Sequence, residues 1–161
     1  MSEPKTQSRR CRPPARWLAP LLVCSLLVAC GGGSTTGDRA AIRSVLTSFF
    51  NALAHGDGRV ACAHASPPGQ QRIVATIGPE LQNFGIYGCA DVVYVTGAQM
   101  KPAGRRALET ARIARITVNG TKATVALSAL SSPNGSVAVE LDTQAPIRLV
   151  DSYGVWLITS L

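Results

Sequence analysis

A change of period divides this chain and predicts an α+β domain, with N-terminal helices packed on a curved antiparallel sheet. Between Asp38 and Ile77 apolar residues recur at helical spacing, whereas after Thr110 they alternate with polar ones. Short turn signals punctuate the alternating half, and helices followed by strands point to segregated layers rather than βαβ units. Residues 38–161 supply 124 positions, enough for one domain with its own core and not for two.

The first helix is the best-defined element. Ile42, Val45, Leu46, Phe49 and Leu53 lie on one face, with Arg39, Arg43, Thr47 and Asn51 on the rest. Asp38 is expected to cap its start and Gly56 to stop it. A second, short helix is expected over residues 58–65, capped by Asp57. Ser66-Pro67-Pro68 then opens a third, since proline is tolerated in a first helical turn. Its apolar side is Ile73, Val74 and Ile77, and Gly78-Pro79 closes it. Residues 89–95 fit either a short helix or a strand, because Val92-Val93-Tyr94-Val95 favours sheet by propensity. Residues 101–106, with Pro102 and Gly104, read as a loop. In the alternating half, Ala114, Ile116 and Val118 predict one strand and Ala123, Val125, Leu127 and Ala129 a second, joined at Asn119-Gly120. Ser131 to Gly135 is a further turn. Val137, Val139 and Leu141 predict a third strand, Ile147 to Val150 a fourth and Val155 to Thr159 a fifth, with Tyr153-Gly154 between the last two. Asn119-Gly120-Thr121 and Asn134-Gly135-Ser136 match the glycosylation sequon, but both read as turns.

Residues 1–29 have a different character. Lys5, Arg9, Arg10, Arg12 and Arg16, against the single acid Glu3, precede a 13-residue apolar run from Trp17 to Ala29. A helix needs about 20 apolar residues to span a bilayer, so this order reads as an export signal. Ser8-Arg9-Arg10 is also similar to a twin-arginine signal, although the apolar residues expected after the pair are replaced by Cys11-Arg12-Pro13. The end of the run, Leu27-Val28-Ala29-Cys30, resembles the lipobox of bacterial lipoproteins. That resemblance implies cleavage before Cys30 and a diacylglyceryl group on its thiol; two or three acyl chains hold a protein at a membrane where one does not. Residues 30–37 would then be the lipidated cysteine and a Gly/Ser/Thr tether.

Of five cysteines, Cys11 and Cys24 would leave with the leader and Cys30 would carry lipid. Cys62 and Cys89 remain, in an oxidising compartment, and are expected to form one disulfide. The formal charge of +7 also shrinks. Residues 1–30 hold five basic groups and one acid, leaving eleven and eight, or +3, in the mature part. That is an ordinary surface, and with export it argues against a nucleic-acid partner.

Ala52-Leu53-Ala54-His55-Gly56-Asp57-Gly58 ending a helix, Ala61-Cys62-Ala63, Cys89-Ala90-Asp91-Val92-Val93 and a closing Val155-Trp156-Leu157-Ile158 resemble the nuclear-transport-factor-2-like superfamily. The nearer resemblance is to its small lipoproteins in high-GC Gram-positive bacteria. It implies a cone in which a bent sheet wraps the first helix and leaves a pocket, a helix at residues 89–95, and a pairing of Cys62 with Cys89. Localisation on the outer face of the cytoplasmic membrane follows from the same likeness.

Ketosteroid isomerases and SnoaL-like cyclases of this fold use pocket acids, Tyr or His as proton shuttles. Here the alternating positions expected to face the pocket are Val, Leu, Ile and Ala. Asp57 and Asp91 are accounted for at helix starts and His55 by a helix's last turn. His64 follows Cys62 by two, so on a helix their side chains diverge by about 200°, against a shared metal site. Tyr87 and Tyr94 are candidates to line a pocket. Lys101, Arg105, Arg106, Arg112 and Arg115, with Glu109 among them, form one charge cluster. It reads either as a face for anionic lipid headgroups or envelope polymer, or as a solvated loop and strand start. The expectation is therefore a non-enzymatic binding or scaffold domain for an apolar ligand or envelope protein, with no catalytic residue, metal or cofactor. An isomerase, dehydratase or cyclase is the alternative.

Overall fold

The computed structural model describes residues 35–135, 137, 141 and 145–161. The leader (1–29), Cys30, the start of the tether and Val139 lie outside the described residues. Helices come first and two antiparallel sheets follow, so the class is α+β.

Helix α1 spans Thr35–His55. It begins three residues ahead of the expected start, so residues 35–37 are helical rather than tether. Asp38 consequently sits in the first turn, where its carboxylate faces the positive end of the helix dipole, and is not the cap. Ile42, Leu46, Phe49, Phe50, Leu53 and Ala54 are completely buried, and Ala52 nearly so. Burial is concentrated in the second half of α1, whereas Arg39, Ala40, Ala41, Arg43 and Ser44 in its first half are exposed. Phe49 and Phe50, neighbours in sequence, meet at a ring-centroid distance of 5.8 Å in a tilted pair. The helix ends as expected: Gly56 takes φ +70°, its N–H donates to the Leu53 carbonyl, and Asp57 N–H donates to the Ala52 carbonyl at 2.8 Å. Those two bonds are the pair that defines a Schellman motif.

Helix α2 (Gly58–Ala63) is capped by Asp57, whose Oδ1 accepts from Val60 N–H at 3.2 Å. Helix α3 (Pro67–Ile77) starts at Ser66 and is followed by a 3₁₀ turn over Pro79–Phe84. Residues 89–99 resolve to helix α4 (Cys89–Gln99), against the strand propensity of the valines. Val92 and Val93 are fully buried there, and packing against α1, α2 and α3 outweighs an intrinsic preference worth a few tenths of a kcal/mol. The expected loop at 101–106 is instead the start of helix α5 (Pro102–Glu109). Pro102 occupies its first turn, where a missing N–H costs nothing, and Arg105 to Glu109 are good helix formers.

The strands are shorter than the alternation suggests. β1 (Arg112–Ile113) pairs with β4 (Leu130–Ser131), and β2 (Thr117–Asn119), β3 (Lys122–Val125), β5 (Ile147–Ser152) and β6 (Val155–Ser160) form a sheet in the order β2-β3-β5-β6. Asn119 pairs with Lys122, so the first hairpin turns on Gly120-Thr121, one residue later than expected. Only Gly120 has positive φ (58°), the pattern of a type II′ turn. Leu127–Ala129 is a 3₁₀ turn rather than a strand continuation. Of the strand expected from Val137 to Leu141 only the two ends are among the described residues: Leu141 N–H donates to the Val137 carbonyl at 3.0 Å, an i to i+4 bond that a strand does not make, and both side chains are buried. Residues spaced by four share a helical face, whereas alternation would have needed a partner strand. Between Arg148 and Leu149 the β5–β6 register slips by one residue, and such a bulge bends a sheet.

The edge of β6 is covered by the α2–α3 connection. Ser66 N–H donates to the Ile158 carbonyl and Ile158 N–H to the His64 carbonyl, both at 2.9 Å. The Ser66 hydroxyl donates to the same Ile158 carbonyl and accepts from Gly69 N–H, each at 3.2 Å. One buried serine thus caps α3 and joins it to the sheet, which shields an otherwise unpaired strand edge.

Candidate functional site

Cys62, in the last turn of α2, and Cys89, the first residue of α4, are joined by a disulfide with Cα atoms 6.1 Å apart. The bridge borders a shallow depression of about 470 Å³ whose walls include Pro67, Gln70, Val74, Gln82 and Tyr87. The Gln70 side chain is fixed there by donating to the Cys62 carbonyl at 3.0 Å. A second depression, of about 570 Å³, lies between the Gly78–Leu81 turn and the α4–α5 junction, with Glu80, Thr96, Gln99, Met100 and Lys101 in its wall. Both are on the helical side of the domain and open to solvent. The side chains between α1 and the sheet belong to the packed core.

The candidates proposed from sequence are dispersed. Tyr87 lines the smaller depression and is 69% exposed; Tyr94, on α4, is 66% exposed and lines neither. The basic cluster divides in two. Lys101 and Arg105 stand at the start of α5, where an Arg105 terminal nitrogen donates to the Gly97 carbonyl at 3.3 Å and its Nε is buried without a partner. Arg106 is exposed on α5. Arg112 and Arg115 flank Ile113, whose carbonyl accepts from Arg43 Nε at 3.3 Å. That contact adds an α1 arginine to the second group. Glu109 is engaged elsewhere, its carboxylate 3.2 Å from His55 Nε2. His55 therefore meets a side chain of α5 rather than the carbonyls of its own helix.

One pairing has no counterpart in the sequence reading. His64 Nε2 lies 2.8 Å from Ser48 Oγ, linking the end of α2 to α1. Burial lowers the His64 pKa below its ordinary value, because desolvation disfavours the imidazolium. The two residues are sixteen apart and no local pattern connects them; only the α1–α2 packing does. Neither depression includes the pair. Among the described residues no cluster of three His, Cys, Asp or Glu side chains could hold a metal ion, and no helix is long and apolar enough to cross a membrane. Cys30 lies outside the described residues.

No family model, curated protein or solved structure matches this chain.

Proposed function

We propose that this chain is a membrane-tethered lipoprotein of the cell envelope, in which residues 35–161 form a non-enzymatic binding or scaffold domain. The observation that carries this reading is the sequence Leu27-Val28-Ala29-Cys30 at the end of a basic-then-apolar leader. The Cys62–Cys89 bridge supports it, because structural disulfides persist in exported proteins and are rare in reducing compartments. In this reading the domain is a variant of the nuclear-transport-factor-2-like cone. The bulged sheet and the burial of the second half of α1 favour that assignment. An apolar ligand would bind in an open depression on the helical side, since large side chains fill the interior beside α1.

Native mass spectrometry of the protein purified from its own membrane tests the proposal. The expected mass is that of a chain beginning at Cys30, increased by a diacylglyceryl group and short of two hydrogens for the disulfide. A chain that is unlipidated and recovered from the cytosol refutes it.

A further inference from the structure

Lipidation at Cys30 would leave only residues 31–34 between the anchor and the first residue of α1. Whatever conformation those residues take, five Cα–Cα steps span at most about 18 Å. The domain is then held against the bilayer and not suspended from it, and the end of the domain nearest the anchor is the start of α1. We infer that this end is an electrostatic docking face for anionic membrane lipid, formed by Arg39 and Arg43 of α1 with Arg112 and Arg115 beside β1. The inference rests on the lipid-anchored reading above.

Three observations carry it. Arg39 and Arg43 are four apart on α1, so they share a helical face, and both residues are exposed. The Arg43–Ile113 hydrogen bond brings that face against the segment bearing Arg112 and Arg115, which are exposed as well. Residues distant in sequence thereby become one basic surface. Among the described residues no carboxylate lies within ion-pair distance of any of the four, and the nearest acid in sequence is Asp38 in the first turn. The positive end of the α1 dipole adds to the same field. Charge is distributed unequally along the helix. At its far end acids and bases are interspersed, with Asp57 two residues from Arg59 and Glu109 paired with His55, so uncompensated positive charge is concentrated at the start of α1. Small exposed residues, Ala40, Ala41 and Ser44, separate the arginines and permit close approach.

The test uses the lipidated protein purified from its own membrane and reconstituted into phosphatidylcholine vesicles with and without phosphatidylglycerol. With Cys30 acylated and Cys62 bridged to Cys89, a thiol introduced by Ala40→Cys is the single labelling site, and Thr124→Cys on β3 serves as the reference. Quenching of the attached fluorophore by brominated lipid should be strong at position 40, weak at position 124, and dependent on phosphatidylglycerol. It should fall at about 0.5 M salt, where screening shortens the field to a few ångströms. Replacing Arg39, Arg112 and Arg115 by Gln, with Arg43 kept for its internal hydrogen bond, should lower the docked-to-undocked ratio by roughly fivefold per arginine. Flotation with the vesicles at high salt reports the anchor separately. Protein that floats but shows no phosphatidylglycerol-dependent contrast between the two labels overturns the docking face alone. Protein that fails to float overturns the anchor and the docking geometry with it.

Discussion

Glycine serves two unrelated purposes in the two halves of this domain. Where α1, α2 and α4 meet, it supplies space. A side chain on Gly58 would collide with the backbone of Ala90, and one on Gly97 with the backbone of Gly56, although neither Gly58 nor Gly97 needs an unusual φ. In the hairpins of the sheet it supplies conformation. Gly120 and Gly154 have positive φ, and nothing stands within 4 Å of where a Cβ would be. The helical half is consequently fixed by close backbone approach and a covalent bridge. The sheet half is fixed by turn geometry and register, and so the two should fail by different mechanisms.

The largest effect is expected at the bridge. Replacing Cys62 and Cys89 together by Ala should destabilise the domain by about 3.5 kcal/mol in the chain-entropy treatment of the loop they close, read as a lower denaturation midpoint in urea. The loss should disappear from the comparison when both proteins are measured under reducing conditions.

Substitution of the spacing glycines ranks next. Gly97→Ala should cost about 2–3 kcal/mol, since α1 and α4 must separate to admit one methyl group. Gly154→Ala should cost about 1–2 kcal/mol, through backbone strain alone. Equal losses would erase the distinction between space and conformation. A further contrast is available in the same hairpin, because Tyr153 has φ 55° and a fully exposed side chain, while Gly154 N–H donates to Asp151 Oδ1 at 2.7 Å across the turn. A type I′ turn favours Asn-Gly at these positions. Tyr153→Asn should therefore raise stability by about 0.5–1 kcal/mol, a gain in thermal midpoint with no change in the helical half.

The smallest effect is one of pH. Burial depresses the pKa of His64 in the folded protein, so as the pH falls the unfolded chain takes up a proton before the folded one does. The contribution of His64 to stability is thus complete above its ordinary value of about 6.5 and is lost as the pH drops through the lower, folded value. His64→Gln, which can still hydrogen-bond Ser48, should reduce the fall in stability between about pH 7 and pH 5. An unchanged pH profile would mean that the imidazole is as well solvated as in the unfolded chain.

The helices are legible in the sequence because their signals are local. The α1 stripe, its Gly56 terminus, the Asp57 cap and the Ser66-Pro67-Pro68 start of α3 all act within one or two turns of chain, and each stands where the sequence places it. The Asp38 cap and the loop at 101–106 depart from expectation because a local signal there is ambiguous. The helix continues upstream of a residue that tolerates its first turn, and proline opens a helix at a place where it could equally have prevented one. In the second half, alternation identifies the β5–β6 hairpin but not the backbone bond from Leu141 to Val137, since apolar residues two apart and four apart can occupy the same short stretch. The candidate site is legible only as composition. The five basic residues are visible as a run, but their division, and the addition of Arg43 through Ile113, depend on contacts between residues seventy apart.

By itself the sequence determined the α+β class, the helical stripe, and the pair of cysteines left to join, because periodicity, capping chemistry and counting need no knowledge of neighbours in space. Tertiary structure alone decided that the valines of α4 are helical, that Ser48 meets His64, that β6 is sealed by Ser66, and which arginines share a face. Each of those outcomes is a competition between a weak local preference and the burial of surface against a distant segment, and burial contributes more free energy than the preference opposes.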